Sequence, residues 1–229
     1  KPCYSPELML CKNGIIHLMT IRRSILDEMP SADARFDGAQ DYNMILCALA
    51  KARKVHHESR VLYHWRMTES STANNPDAKP YAKVASRLAI ANNMDASLSD
   101  ASVIDSGIVN TQNLWFRPEK EKPVVSVIVD GVASGDAGAF LELFSQTNSY
   151  HYVEVIIVLE GDRGSGASLE ECKVVYEKGS SRFARFNAGV EAAVGEYLVF
   201  MDANASFLTP EPIEQLLGMC KRKGVGVAA

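Results

Sequence analysis

The chain has 229 residues, of which 47% are hydrophobic and 23% charged, which is the balance of a globular protein with one large domain or two small ones. Its formal net charge is −4, from 24 basic and 28 acidic residues, which argues against a nucleic-acid partner held by bulk charge. The longest apolar runs, residues 124–129 and 153–159, are far shorter than the roughly 20 residues that a membrane-spanning helix needs. We therefore expect no membrane span in this piece.

The five cysteines are odd in number and form no C-x-x-C pair, which is typical of reduced cytoplasmic thiols and argues against a zinc site. The chain opens without methionine and without a charged-then-apolar leader, so we expect an excerpt of a longer protein. The expected location is cytoplasmic, with peripheral attachment at the inner face of the membrane as an open alternative.

Residues 1–75 form the first of three zones that differ in pattern. Apolar side chains recur at helical spacing over residues 40–52, which predicts a helix with one buried stripe. The Asp-Gly-Ala stretch at residues 37–39 predicts a turn and a cap before that helix. Residues 61–65 are rich in β-branched and aromatic side chains, which predicts a short strand.

Residues 76–122 form a connector between two zones of stronger pattern. Its first part predicts a helix over residues 81–92. A stretch rich in Ser, Asp and Asn follows over residues 93–113, and it is long for a structureless loop inside a compact domain. We therefore interpret the connector as a helical linker and spacer.

Residues 123–229 change to strands that alternate with helices. Nearly continuous apolar runs predict strands at residues 124–129, 153–159 and 197–201, with helices at residues 137–147 and 187–194. Buried strands separated by helices indicate an α/β fold with a mostly parallel sheet and helices on both faces.

Acidic side chains follow each predicted strand of this third zone. They are Asp130, Glu160 and Asp202, and Asn204 comes two residues later. Parallel sheets bind ligands outside the carboxyl ends of their strands. Carboxylates there accept hydrogen bonds from a base or a ribose, and oxygen ligands hold Mg²⁺ or Mn²⁺. The alternative, that strand ends are polar simply because loops meet water, stays open.

Three glycines after the second strand, Gly161, Gly164 and Gly166, invite comparison with a dinucleotide-binding turn. Their order is G-x-x-G-x-G, and they do not lie in the first strand-to-helix turn, where that fingerprint requires G-x-G-x-x-G. The sequence thus argues against a dinucleotide-dependent oxidoreductase.

The first zone contains three further candidates for chemistry. Asp41 lies at a turn-to-helix junction, where a helix N-terminus favours the ionised form that a general base requires; the alternative is that it only caps the helix. His64 and Arg66 come at a strand end before a run of hydroxyls, which suits a diphosphate leaving group. The alternative for this pair is an ordinary surface position around a half-buried Trp65.

Taken together, these segments resemble family-2 glycosyltransferases of the GT-A fold, especially the tandem-domain enzymes of bacterial surface polysaccharides. Residues 38–43, Gly-Ala-Gln-Asp-Tyr-Asn, are similar to the family's acidic motif, and residues 62–66, Leu-Tyr-His-Trp-Arg, with Ser71 and Thr72, resemble its late motif near the diphosphate and the metal. The resemblance implies that Asp41 deprotonates the acceptor hydroxyl in an inverting displacement.

The third zone resembles the opening half of the same family. Residues 184–189, Ala-Arg-Phe-Asn-Ala-Gly, are similar to its A-R-x-N-x-G-like turn, and residues 195–202 lead into its D-x-D position. The resemblance implies a GT-A-like, Rossmann-like sheet. It also implies a Mn²⁺ or Mg²⁺ ion held by Asp202, Asn204 and His64, and a nucleotide-sugar diphosphate site made of His64, Arg66, Asp130, Glu160, Arg185, Asn187 and Asp202.

Three positions depart from the family pattern. The first strand ends in Asp130-Gly131-Val132, where Pro or Thr and then Asn are more usual. The D-x-D position contains Asp202-Ala203-Asn204, with an amide in place of the second carboxylate, and Leu159 occupies a position where an aspartate is usual. These departures predict weaker metal and nucleotide binding than the family pattern implies.

The order of the halves is reversed relative to the family. Residues 1–75 match the acceptor-side half and residues 123–229 the nucleotide-side half, which normally comes first. Two explanations stay open: an excerpt across two tandem domains, or a permutation whose halves complete one sheet within one molecule or across a swapped homodimer. The expected function is transfer of a sugar from a nucleotide-sugar donor to a surface-glycan acceptor. The alternative is a degenerate, non-catalytic scaffold or glycan-binding module.

Overall fold

The computed structural model describes residues 4–15, 18–64, 80–117, 122–131, 136–161, 172–179 and 181–228. The chain divides into two compact units. The first comprises Lys1–Arg117 with Lys221–Gly224, and the second comprises Pro118–Cys220 with Val225–Ala229. Within the described ranges, no helix combines the length and the apolar content that a bilayer crossing demands.

The first unit is mainly helical. Its elements are α1 (Pro6–Met9), α2 (Arg23–Leu26), a 3₁₀ helix (Ala34–Phe36), α3 (Gln40–Lys51), α4 (Pro80–Asn93), a second 3₁₀ helix (Ala96–Leu98), and the strands β1 (Ala101–Asp105) and β2 (Gln112–Phe116). The helices predicted over residues 40–52 and 81–92 are confirmed to within one residue at their ends.

A tight turn fixes the start of α3. Gly38 has a φ of +91°, and a Cβ atom at this position would come within 2.7 Å of the Tyr81 ring, so the turn requires glycine. The N-cap residue of α3 is Ala39, whose methyl side chain cannot accept a hydrogen bond. Gln40 Oε1 accepts a hydrogen bond from the backbone N–H of Gly38 at 3.0 Å, which stabilises the predicted turn. The predicted cap is not formed, because no side chain caps the start of α3.

The buried face of α3 packs against α4 and the segment after α1. The buried side chains of α3 are Tyr42, Ile45, Leu46, Cys47 and Ala48. The Tyr42 hydroxyl donates to the carbonyl oxygen of Met9 at 2.5 Å, and burial raises the pKa of this phenol. Asn93, at the end of α4, donates from Nδ2 to Asn43 Oδ1 at 2.9 Å. These contacts fix the position of α3 against α4 and against Met9.

The stretch predicted as spacer contains a β-hairpin. β1 and β2 pair antiparallel from Ala101↔Phe116 to Asp105↔Gln112. The turn between them includes Gly107 and Asn110, both with positive φ, as tight turns favour. Ser106 and Asn110 lie in the turn of this hairpin, and the other Ser, Asp and Asn residues of the stretch lie in its strands or in the segment before them. This polar stretch therefore has regular structure.

The predicted strand at residues 61–65 is not formed where the structure describes it. Residues 61–64 have no strand conformation, and Val61 and Leu62 are 79% and 63% exposed. Strand propensity reflects the fit of a side chain to a pleated, half-buried surface, and in the described part of this unit β1 and β2 pair with each other. The prediction is wrong for these four residues, and Trp65 lies outside the described ranges.

The second unit is built on a four-stranded parallel sheet. Its elements are β3 (Val125–Asp130), α5 (Ala137–Thr147), β4 (Val153–Glu160), β5 (Lys173–Glu177), α6 (Arg182–Ala192), β6 (Tyr197–Asp202) and α7 (Pro212–Cys220). The strand order is β5-β4-β3-β6, and all neighbouring pairs are parallel. The predicted α/β class and parallel sheet are confirmed. β5 and α7 have no counterpart among the predicted elements, and α6 begins five residues before the predicted helix.

Helices cover both faces of this sheet. One face packs Val127, Val129 and Ile157 against Phe140 and Phe144 of α5 and against α7. The other face packs a smaller cluster of the sheet, Ile128, Ile156 and Val158, against α6. Every residue of β3 is buried, as expected for a central strand of a parallel sheet. At the edge of the sheet, β6 leaves Leu198 and Phe200 partly exposed.

α6 approaches the sheet closely because it has a glycine at the contact. A Cβ atom on Gly189 would overlap Cγ2 of Ile128 and come within 3.2 Å of Cγ2 of Val158. The start of β6 is held just as tightly, since Gly195 N donates to the buried hydroxyl of Ser126 at 2.8 Å. Both glycines therefore fix where α6 and β6 lie relative to β3.

We expect Gly189→Ala to lower the free energy of unfolding by about 1–3 kcal/mol, because it would overpack a filled helix–sheet contact. Gly138, in α5, is the matched control, since nothing lies within 4 Å of its Cβ position. Alanine there should raise stability by up to about 1 kcal/mol through helix propensity. Urea denaturation measures both effects, and equal stability of the two variants would contradict the close packing of α6.

Candidate functional site

The strand order places a topological switch point between β3 and β6. From β3 the chain steps outward to β4 and β5, and it then returns to the opposite side of β3 with β6. Ligands of open α/β sheets bind in the crevice at such a point, outside the carboxyl ends of the strands. Asp130 and Asp202 are register partners at those ends. Two of the predicted acids therefore flank the crevice directly.

Asp130 is a buried carboxylate that α6 neutralises. It is 3% exposed, and Arg185 donates from Nε to its Oδ1 at 2.5 Å and from Nη2 to its Oδ2 at 3.3 Å. A second guanidinium, that of Arg182, has its Nε 3.4 Å from Oδ2. Such pairing is needed because an unpaired charge at this depth would be costly.

Arg182 links the two strand ends across the switch point. Its Nη2 donates to Asp202 Oδ2 at 3.1 Å while its Nε faces Asp130. The guanidinium also lies over the Phe186 ring, 5.2 Å from the centroid, a favourable cation–π position. The side chain is half exposed. It is thus held in place from two sides and still reaches solvent.

Asp202 receives further hydrogen bonds from the residue two positions later. Its Oδ1 accepts from the backbone N–H of Asn204 at 3.0 Å and from Asn204 Nδ2 at 3.1 Å. These hydrogen bonds, and secondarily the charge of Arg182, hold the pKa of Asp202 below its ordinary value. The carboxylate is therefore ionised throughout the neutral range.

Glu160 lies at the margin of the cluster. Glu160 ends β4 with an exposed carboxylate whose Oε2 is 3.6 Å from Nη1 of Arg185. Asn187 is exposed on α6, two residues after Arg185. The structure thus brings the predicted Asp130, Glu160, Arg185 and Asp202 together, whereas Asn187 projects from α6 in a different direction from Arg185.

The residues around Asp202 do not fit a divalent cation. Asn204 turns its amide N–H toward Asp202, so the amide donates where a ligand would have to accept. The other carboxylate oxygen is taken by Arg182. Across the described ranges, no group of three or more His, Cys, Asp or Glu side chains has the arrangement of a metal site. The donor set here is that of an ion-pair cluster.

The predicted residues of the first unit are more dispersed. Asp41 lies in the first turn of α3, is exposed, and accepts a hydrogen bond from Asn13 Nδ2 at 3.3 Å. His64 is exposed in a segment without regular structure. Arg66 lies outside the described ranges. Asp41 thus has the predicted location at a helix start, and no described contact joins it to His64.

Arg182 is the site residue that sequence reasoning missed. It is the first residue of α6 and lies three positions before Arg185, so both side chains project from one face of the helix. The R-x-x-R spacing at the start of a helix that follows a strand is the signal that identifies it. Predicting the helix to begin at residue 187 concealed that signal.

The chain is similar to two longer bacterial proteins. No protein-family model matches the chain. It is 28% identical over 244 residues to the uncharacterized protein y4gI of Sinorhizobium fredii, and 23% identical over 235 residues to the O-antigen biosynthesis protein RfbC of Myxococcus xanthus. Each similarity covers 99% of this chain but only 26% and 18%, respectively, of the relative. The chain therefore spans about a quarter or less of the length of these relatives.

We expect Arg185→Ala to destabilise the fold by about 3 kcal/mol, because it removes the main partner of a buried carboxylate. Adding Asp130→Asn should recover part of that loss, since the unpaired charge disappears. Arg23→Ala is the control, since that exposed residue forms a surface ion pair with Asp27 and should change stability by less than about 0.5 kcal/mol. Denaturant unfolding measures all three. Additive effects of the Arg185 and Asp130 substitutions would contradict the pairing.

We expect Asn204→Ala to raise the pKa of Asp202 toward the ordinary value of about 3.9. A carboxylate with a lowered pKa stabilises the fold above its unfolded-state pKa, and this contribution is lost as the pH falls through the folded-state pKa. The variant should therefore lose it at a higher pH than the wild type. Carboxyl ¹³C NMR titration measures the pKa, and Arg182→Ala should produce the smaller rise. An unchanged pKa in Asn204→Ala would contradict the described hydrogen bonds.

Proposed function

We propose that this chain belongs to a glycosyltransferase of polysaccharide biosynthesis, in which the second unit takes up a nucleotide-sugar donor. The observation that carries the proposal is the cluster of Asp130, Asp202, Arg182 and Arg185 at the switch point of a parallel sheet. This is the place where open α/β sheets bind ligands. The O-antigen biosynthesis relative supports the glycan side of the proposal.

The groups around this cluster suit the parts of a sugar nucleotide. Guanidinium groups present planar donors that match phosphate oxygens, so Arg182 is suited to the diphosphate. The exposed carboxylate of Glu160 is able to accept hydrogen bonds from a ribose hydroxyl or a base N–H. No metal is required for either contact, which agrees with the poor fit of a cation at Asp202.

In this proposal, the first unit acts on the acceptor. Asp41 lies at the start of α3 as an exposed carboxylate. A carboxylate in that state is able to take the proton from an acceptor hydroxyl as it attacks the sugar. Inverting transfer with Asp41 as base is therefore the reaction proposed for the whole protein, with the donor and a growing glycan as its partners.

Both relatives are much longer than this chain, as the explanation by an excerpt across two tandem domains requires. Both relatives contain a segment aligned with 99% of this chain, and that segment makes up only 26% and 18% of their lengths. We infer that the first unit ends one transferase domain and the second unit begins the next. Each unit would then complete its site with partner segments of its own domain.

A second candidate function is a non-catalytic transferase-like module that binds glycan or acts as a scaffold. The observation that favours it is the ion-paired state of Asp202, whose two oxygens are already engaged by Arg182 and Asn204. In such a module the arginine cluster would serve stability alone, and no nucleotide would bind.

Calorimetric titration with uridine, guanosine and thymidine diphosphate sugars tests the donor site of this chain. We expect one nucleotide class to bind, and Glu160→Gln to weaken it about tenfold, because a hydrogen bond to a charged group is lost. Glu142→Gln, on the exposed side of α5, is the control and should leave the affinity unchanged. Binding of no nucleotide class would favour the non-catalytic module.

In an active transferase that contains this chain, we expect Asp41→Asn to lower kcat by about 10²–10⁴-fold, as loss of a general base does. Donor affinity should stay the same, because the substituted group acts on the acceptor. Asp27→Asn, an exposed carboxylate of the same unit, is the control. Full activity of Asp41→Asn would exclude its role as base.

A further inference from the structure

We propose that the Arg182 guanidinium stands in place of a divalent cation at the β3–β6 switch point, so that this crevice holds a diphosphate without metal. The inference rests on the proposed nucleotide-binding function, and it adds the residue and the metal-free mode of binding. It starts from the finding that the donor set around Asp202 does not fit a cation, although the resemblance to glycosyltransferases implies one.

The position of Arg182 is that of a bridging cation. Its guanidinium touches Asp130 of β3 at 3.4 Å and Asp202 of β6 at 3.1 Å, so one positive group links the carboxylates of the two strands that flank the crevice. A metal ion between these strand ends would bridge them in the same way. Arg182 performs this task with a covalently tethered charge.

The charges of the cluster balance without a metal. At the ends of β3 and β6, Asp130 and Asp202 contribute two negative charges, and Arg182 and Arg185 contribute two positive charges. Glu160, 3.6 Å from Arg185 at the end of β4, adds one further negative charge outside this pair of strands. A diphosphate that approaches this set meets no uncompensated carboxylate between the two strands. A divalent cation would raise the local charge and would lie next to a guanidinium, which repels it. Arg182 therefore excludes the ion by charge as well as by position.

The two arginines have different roles: Arg185 pairs with a buried carboxylate, and Arg182 is available to a ligand. Arg185 is 14% exposed and satisfies the buried Asp130, so its role is structural. Arg182 is 51% exposed, and the described contacts use its Nε and Nη2. Its Nη1 has no partner among the described residues. A guanidinium has five N–H donors in a fixed fork, so Arg182 is able to keep both carboxylates and still donate to a phosphate oxygen.

Phe186 orients this donor before any ligand arrives. The Arg182 guanidinium lies 5.2 Å from the centroid of the Phe186 ring, and Phe186 in turn packs edge-on against Phe200 of β6. The face of the guanidinium is thereby covered, while its edge stays directed along the strand ends. Preorganisation of this kind lowers the ordering cost of binding.

A Mn²⁺ titration followed by electron paramagnetic resonance tests the proposal on the 229-residue chain. We compare the wild type, Asn204→Asp, and the double variant Arg182→Ala/Asn204→Asp. The wild type should show no saturable Mn²⁺ site in the millimolar range. The double variant should bind Mn²⁺ at least about tenfold more tightly than Asn204→Asp alone, because the excluding charge is gone.

Two further variants keep the metal result interpretable. Arg182→Lys retains the positive charge and should still exclude Mn²⁺ when combined with Asn204→Asp. Arg23→Ala removes an exposed arginine from the first unit and should change nothing. Thermal unfolding verifies that each variant is folded; Arg182 is half exposed, so its loss should be tolerated. Saturable Mn²⁺ binding by the wild type that Asp202→Asn abolishes would overturn the proposal. So would equal affinity of Asn204→Asp and the double variant.

A second titration, with UDP, GDP and dTDP, follows the ligand directly. The nucleotide that binds should do so equally in EDTA and in Mn²⁺, to within about threefold, and Arg182→Ala should weaken it about tenfold in EDTA. Binding that requires Mn²⁺ would overturn the proposal. If no nucleotide binds in either condition while the Mn²⁺ titration gives the expected pattern, the proposed nucleotide function fails, and the cation-replacing role of Arg182 stands.

Discussion

A nearly buried carboxylate at the end of a central strand dictates the arrangement of the second unit. Asp130 is 3% exposed, so it has to be paired, and its partners come from the first turns of α6. These ion pairs fix the start of α6 over the carboxyl end of β3. Gly189, which has no side chain, allows the same helix to pack closely against the sheet. The fold and the candidate site therefore depend on one ion-paired contact.

Much of both units could be predicted because the sequence patterns that define their elements are local. Runs of apolar residues define β3, β4 and β6, and the residue after each run is polar, so the acids at the strand ends follow from strand assignment alone. The helical periodicity of α3 and the turn at Gly38 are also local features. Fold class, strand ends and the location of Asp41 are thus accessible from sequence.

The remaining features depend on contacts between distant residues. Arg182 gains its importance only because β6 returns beside β3 and brings Asp202 within reach, which no local pattern shows. The polar composition of residues 93–113 concealed the β1–β2 hairpin. Residues 61–64 have strand-forming side chains that pair with no strand in the described part of the first unit. Propensity alone decides neither case, because pairing partners do.

The edge position of β6 makes the crevice one-sided. Among the described residues, β6 pairs with β3 alone, and Leu198 and Phe200, on the face of the sheet that α6 covers, remain partly exposed. Edge strands offer backbone donors and acceptors to whatever segment comes alongside. A strand or loop beside β6 would line the crevice on that side without disturbing Asp130, Arg182 or Arg185. The ion-pair cluster and the segment beside β6 are therefore separate parts of the crevice. The same cluster is compatible with different neighbouring segments, and hence with different ligand selectivity.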